Sequence, residues 1–254
     1  MTNRQNGSLF TSISGKVATL EFGHPASNSF VSDLLNRLTL EFEKLSKNPE
    51  VHVIILKSEG DRAFCAGASF DELMAVSNQE EAQMFFSGFA NVINAMRSCT
   101  KVIIGRVQGK TVGGGIGLVA ACDYIFASEN ASIRLSELSI GIAPLVIEPA
   151  VTRKIGTAAI AELSLTPTSW KNAYWAQEKG LYSRVFDNIK ELDKELELYT
   201  EKLASYNPMA LSDWKKVLWK NTEHWEELLS KRAAITGKLA LSAFTKNALS
   251  KFKK

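Results

Sequence analysis

Apolar and polar positions alternate along residues 9–14 and again along 17–22, on either side of Gly15-Lys16, which is the pattern of two strands joined by a tight hairpin. The period then changes. Leu34, Leu38, Phe42 and Leu45 recur at helical spacing and put one apolar stripe on a helix over residues 31–45, with Asn28-Ser29 as polar starting residues. Residues 51–57 read as a strand, and residues 80–99 set Phe85, Phe86, Phe89, Val92, Ile93 and Met96 on the inner side of a long helix. Further strands are predicted at 101–107, 124–127 and 132–135. After about residue 146 everything reads as helix. Residues 188–205 are amphipathic, 210–220 carry Leu211, Trp214, Val217 and Leu218, and 225–252 form one long helix, apolar on one side. Periodicity alone says mixed α and β, with strand-strand-helix units in place of strict alternation.

The predicted strand at 101–107 is followed by three consecutive glycines, Gly113, Gly114 and Gly115, which open an apolar helix, Ile116 to Cys122, that ends at Asp123. The first turn of a helix has no intrahelical acceptors for its N–H groups, and a glycine there lets a ligand approach the main chain. Each helical glycine costs about 1 kcal/mol relative to alanine, so three together call for a reason. Upstream, Ala63-Phe64-Cys65-Ala66-Gly67-Ala68 follows the strand at 51–57 and also leaves its backbone bare. Either segment alone is what a tight strand-to-helix turn requires. Together they offer two backbone donors that can converge on one oxygen, the arrangement that stabilises an oxyanion.

In this order, the two segments resemble the enoyl-CoA hydratase/isomerase family, the crotonase superfamily. The resemblance is carried by residues 63–68, by Gly109 with the glycine triplet and Ala121-Cys122-Asp123, and by Glu137 followed by Gly141 and Pro144. Ile155-Gly156 and the stretch from Ala173 to Gly180 extend it, so that it covers about residues 17–186. It implies an α/β fold, a crotonase-like spiral of repeated ββα units over residues 1–190, with a C-terminal helical region, 191–254, that assembles trimers or hexamers. It also implies N–H donors at Ala68 and Gly114, and a catalytic carboxylate at Glu137. Without it, Glu137 reads as a surface glutamate paired with Arg134 or capping a helix.

Two departures bear on the reaction. Two-carboxylate hydratases carry a glutamate two residues after the triplet, where this chain has Gly117. One carboxylate suffices to move a proton from one carbon to another, so Gly117 pulls toward an isomerase. Relatives are glycine-rich after the family's proline, whereas here the chain reads Pro144-Leu145-Val146-Ile147-Glu148-Pro149. Glu148 is either a replacement carboxylate projecting into the pocket or a helix-start glutamate beside an early helical proline. By family prevalence, hydration of a 2-enoyl-CoA, short or branched, such as a methylglutaconyl thioester, stands slightly ahead of a 3-enoyl to 2-enoyl shift on Glu137. A protein that binds CoA esters without turnover is the third reading.

The resemblance implies coenzyme A as part of the substrate and not as a permanent cofactor. The resemblance places it along Ala66, Ala68, Ser69, Phe70 and Asp71, with Gly114. Lys16, Lys57 and Arg62 are candidate phosphate partners, and Phe70, Leu73, Met74 and residues 85–89 are candidate walls of the acyl tunnel. A carboxylated acyl group requires a buried cation, for which Lys154, Arg153 and Lys110 are nominal candidates. His24, His52 and His224 form no metal or triad pattern, so no metal is expected.

Composition fits an ordinary enzyme. The 254 residues are 45% hydrophobic, enough for one large domain or a domain with a helical appendage. A formal net charge of +3 does not argue for nucleic acid, and the basic run 246–254 reads as a solvated end. No apolar stretch is long enough to span a bilayer, residues 1–8 lack the apolar core of a signal peptide, and Cys65, Cys99 and Cys122 read as reduced core residues. A cytoplasmic protein is expected.

Overall fold

The structure is a computed structural model that describes residues 6–251. The start of the polar N-terminal stretch and the last three residues of the basic run lie outside the described residues. The predicted hairpin forms as β1 (Ser8–Ser14) and β2 (Val17–Gly23), paired antiparallel with Ser14 opposite Val17. Next come α1 (Ser32–Lys47), β3 (Val53–Ser58), α2 (Phe70–Ala75), α3 (Gln79–Ser98), β4 (Val102–Val107), β5 (Thr111–Val112) and α4 (Gly114–Ala121). They are followed by β6 (Tyr124–Ser128), β7 (Ile133–Arg134), a 3-10 turn (Glu137–Ile140), α5 (Glu148–Leu165), α6 (Ala173–Glu178) and β8 (Arg184–Phe186). The chain closes with α7 (Ile189–Ala204), α8 (Pro208–Leu218), α9 (Trp225–Ala240) and α10 (Ala243–Ser250).

Several boundaries are set by side chains visible in the sequence. Asn78 and Asn188 accept from the N–H groups of Glu81 and Glu191 and so start α3 and α7. Asn207 caps α8 ahead of Pro208, a residue whose missing N–H costs nothing in a first helical turn. The helix expected over 225–252 is two helices. Ser242 adopts an extended backbone and its hydroxyl accepts from Thr245 N–H, which begins α10. Strand β8, within the region read as all helix, has only three residues and pairs with the edge of β6, from Phe126 opposite Arg184. Helix α2 was also too short for a period, and Ser69 Oγ starts it by accepting from Glu72 N–H.

The main sheet runs β1-β2-β3-β4-β6-β8, parallel beyond the first hairpin. Each turn of the chain adds one strand to this sheet and one short segment to an inner layer. In that inner layer Phe30 bridges Ala68, Cys65 bridges Thr111, β5 pairs with β7, and Ile133 bridges Lys171. This is the expected α/β spiral. The inner segments that pair in parallel run the same way, and Ala68, Gly114 and Glu137 stand at or just beyond their ends.

One face of the sheet packs on α1, α3 and α4, with Leu20, Phe22, Leu38, Phe42, Val92 and Met96 fully buried. The other is covered by α7, whose Leu192 and Leu196 meet Val53, Ile104 and Phe126. The helices after residue 190 join the first core as well. Trp225, Leu229 and Ala233 of α9 lie in the same cluster as α3, against which Gly237 packs so closely that a Cβ would stand 3.0 Å from Ala82 Cβ. Cys65, Cys99 and Cys122 are buried and unbridged, and burial pushes the thiols of Cys65 and Cys122 up to about 12. No described helix is long and apolar enough to cross a membrane.

Beneath the C-terminal end of α4, Asp123 gathers groups from distant elements. Its carboxylate accepts from Ile103 N–H at 2.7 Å and from Trp219 Nε1–H at 2.6 Å, and pairs with the Lys215 ammonium at 3.1 Å. Lys215 is 2% exposed and also donates to the carbonyls of Met96 and Lys101. This cluster fastens α8 to the end of β4.

Candidate active site

A cavity of about 600 Å³ opens where the inner segments end. Its floor is backbone. Phe30 N–H donates to Gly67 O at 2.8 Å, and Ser69 N–H donates to Phe30 O at 2.7 Å. The C=O of Gly67 and the N–H of Ala68 point opposite ways across one trans peptide, so the bond from Phe30 turns the N–H of Ala68 away from Phe30. Val112 N–H bonds Cys65 O at 2.9 Å and the glycine triplet follows. Gly113 takes φ +54°, a conformation open to glycine, and so turns the chain from β5 into α4. Gly114 is the first residue of that helix, where an N–H has no intrahelical acceptor. A side chain at Gly114 would put its Cβ 2.2 Å from Phe89 Cε1, so the ring itself demands glycine. Ala68 and Gly114 both line the cavity.

Glu137 lines the cavity from the start of the 3-10 turn that follows β7. Its Oε1 would lie 3.0 Å from a Cβ on Gly113, so the carboxylate rests against the glycine turn. Oε2 is buried without a hydrogen-bond partner. Burial pushes the carboxyl up to about 7, against the smaller opposing effects of its own N–H and that of Ser136. A carboxylate of that pKa, on a cavity wall and with no side chain paired to it, is poised to take up and return a proton near neutral pH. Glu137 makes no ion pair with Arg134, the alternative open from sequence.

The remaining expected site residues divide. Ala66 and Phe70 line the cavity with Ala68 and Gly114, whereas Ser69 is buried as the cap of α2 and Asp71 is exposed on that helix; neither lines it. Leu73, Phe85, Phe86 and Phe89 form the apolar wall, without Met74. Lys57 pairs with Glu21 at 3.3 Å, and Arg62 is exposed. His52 is held by Ala204 O at 2.9 Å and is a packing residue.

Glu148 does not project into the cavity. The wall runs through Val146 and Ile147 and stops there, and the Glu148 carboxylate is bound by Arg232 of α9 and Thr152 of its own helix. The sequence leaves this undecided because the arginine lies 84 residues away. Nor is there room for a carboxylate at position 117. A Cβ on Gly117 would stand 2.4 Å from Ile147 Cγ2, so the isoleucine fills that space. Glu137 is consequently the only carboxylate among the described residues that line the cavity.

Of the three nominal cations for a carboxylated acyl group, Lys154, Arg153 and Lys110, none lines the cavity. Lys154 bonds Asp123 O at 3.0 Å and Arg153 stacks on Trp219, both outside the cavity wall. Arg134 lines it instead. Its signal in the sequence was the adjacency to Glu137, which suggested a pair and so concealed it. Thr236 of α9 also reaches the wall, a contribution without any local motif.

Comparison with known proteins agrees with this geometry. The sequence profile of the Enoyl-CoA hydratase/isomerase family matches residues 12–251. The chain is 30% identical over 209 residues to the peroxisomal Delta(3,5)-Delta(2,4)-dienoyl-CoA isomerase of Arabidopsis thaliana, covering 74% of each chain. It is 29% identical over 222 residues to the 2,3-dehydroadipyl-CoA hydratase of Escherichia coli, covering 85% of this chain and 83% of the relative. In fold it matches an enoyl-CoA hydratase from Bacillus halodurans with a TM-score of 0.89 at 20% identity, over 96% of this chain and 99% of the other.

Proposed function

The chain belongs to the enoyl-CoA hydratase/isomerase family, whose enzymes act on CoA thioesters, and on that premise we propose that it shifts the double bond of a 3-enoyl-CoA to the 2-position with Glu137 as sole base. The observation that carries this reading is the single carboxylate on the cavity wall, with position 117 filled by Ile147 and Glu148 tied to Arg232.

The thioester carbonyl oxygen sits between the N–H groups of Ala68 and Gly114. Glu137 removes a proton from C2, and the electron pair moves onto that oxygen as a dienolate, stabilised by the two donors. The protonated Glu137 then delivers the proton to C4, leaving the double bond between C2 and C3. Nothing is added and nothing lost, so one group of pKa about 7 serves as base and then acid. The absence of water from the balance distinguishes this from hydration, which sequence places first and which needs a second route for protons.

The deciding experiment incubates 2- and 3-enoyl-CoA esters with the protein in heavy-oxygen water, followed by mass spectrometry. Conversion of the 3-enoyl ester without mass gain supports the isomerase. Gain of one labelled water overturns it in favour of hydration, and saturable binding with no product supports a non-catalytic CoA-ester binder.

The steric account of position 117 makes its own prediction. Gly117→Glu alone is expected to misfold or lose activity through overlap with Ile147, while Gly117→Glu with Ile147→Ala folds and acquires measurable incorporation of labelled water. A single variant as active and stable as the parent would count against the packing argument.

The assembly we propose is the trimer, or pair of trimers, implied by the family resemblance. It is supported by apolar side chains left outside on α8, where Met209 is 74% exposed, Trp214 60% and Val217 52%. Sedimentation of Trp214→Glu is expected to give smaller species than the parent; unchanged sedimentation would remove α8 from the interface.

A further inference from the structure

We propose that the cavity accepts acyl thioesters whose acyl chain ends in a carboxylate, with Arg134 as its receptor; this rests on reading the cavity as an acyl-CoA site. Apart from Glu137, the charged group on the cavity wall is Arg134, set among apolar and aromatic side chains. Its Nε is buried and has no hydrogen-bond partner. No described carboxylate pairs with the guanidinium, so its charge is left to be balanced by an anion that enters the cavity.

The neighbours hold the guanidinium ready. Its Cζ lies 4.6 Å from the centre of the Trp170 ring, and the Lys110 ammonium lies 5.0 Å from the same ring. Stacking on an indole fixes the plane of a guanidinium while leaving its N–H edge free, the edge that engages a carboxylate through two parallel bonds. Register fixes the place. Val112 pairs with Arg134, whose carbonyl accepts from Gly113 N–H at 3.1 Å, so Arg134 stands one strand over from the glycine turn. Two residues lie between it and Glu137, so their Cα atoms are at most about 10 Å apart, and both side chains line the same cavity. A carboxylate held there belongs to an acyl chain short enough to lie within the same cavity of about 600 Å³ as Glu137.

A phosphate of coenzyme A is the other anion that such a cation can hold, and the test separates the two. Binding of adipoyl-CoA, hexanoyl-CoA and adipoyl-pantetheine, which lacks the nucleotide phosphates, is measured by titration calorimetry with the parent protein, Arg134→Met and Arg134→Gln. None of these saturated esters carries a double bond to move, so the outcome does not depend on which reaction is catalysed. The parent is expected to bind adipoyl-CoA about tenfold or more tightly than hexanoyl-CoA. It is expected to keep a preference for adipoyl over hexanoyl in the pantetheine series, and either substitution is expected to collapse that preference. Equal binding of the two CoA esters by the parent overturns the proposal, whether or not the variants fold. A loss on substitution that falls equally on both CoA esters and spares the pantetheine ester assigns Arg134 to a phosphate and also overturns it. Failure of any ester to bind overturns the reading of the cavity itself.

Discussion

Replacing Glu137 by glutamine is expected to lower turnover of an enoyl-CoA by about 10³-fold while CoA-ester binding persists, because the amide keeps the shape of the side chain and loses its ability to carry a proton. The parent enzyme should show the matching pH dependence. Burial holds the Glu137 carboxyl at about 7, so the ionised base becomes scarce below that pH. The rate is expected to fall about tenfold per pH unit on the acid side and to level off above it. A profile of kcat/KM against pH without an inflection near 7 would count against Glu137 as the base.

The same substitution should stabilise the fold at alkaline pH. A carboxyl whose pKa rises from 4.5 to about 7 on folding binds its proton more tightly in the folded state, so stability declines as pH rises through that window and stays low above it. At about 1.4 kcal/mol per unit, the Glu137→Gln protein is expected to gain at most about 3 kcal/mol at pH 8, with the gain vanishing toward pH 4.5. Urea unfolding at both ends of the range measures it. Lost activity with gained stability is the mark of a group kept for chemistry, and lost activity with lost stability would mark a packing residue.

The largest loss of stability is expected from Asp123→Ala, at about 4 kcal/mol and a fall in Tm of about 10 °C. The variant leaves the Lys215 ammonium buried at 2% exposure with only two carbonyls, and leaves Ile103 N–H and Trp219 Nε1–H without their acceptor. Lys215→Met is expected to be milder, because Asp123 keeps those two donors and the methionine suits its surroundings. Equal losses from the two substitutions would mean that the ion pair itself, and not the stranded charge, decides the cost. Measured as a cycle, the double variant should lose less than the sum.

How much of this was legible in the sequence follows from the range of each interaction. The first hairpin, α1 and α3 depend on residues within a few positions of one another, and period exposes them; the start read at Asn28-Ser29 does not cap α1, because Asn28 bonds the carbonyls of Glu59 and Ala63 and the helix begins after Val31 without a side-chain cap. The glycine triplet is legible for the same reason, since a turn that only glycine can make announces itself, and Glu137 was placed through the family pattern to which that turn belongs. Elements too short to repeat a period twice, α2 and β8, escaped because three to six residues display neither a stripe nor an alternation, and β8 exists only because β6 offers it an edge.

Of its own, then, the sequence determined the family and the strand-strand-helix repeat, whose motifs are each local in the chain, and through the family pattern it nominated the residues proposed to hold a thioester oxygen and move a proton. The tertiary structure decided which charges reach the cavity. Arg232 takes Glu148 out of play, Ile147 occupies the space beside Gly117, Trp170 holds Arg134 clear of Glu137, and Asp123 gathers Lys215 and Trp219 from a distant helix. In most of these the deciding partner lies tens of residues away, and in each a charge or a volume is settled by whichever neighbour the fold brings within a few ångströms, a matter of packing that no local pattern records.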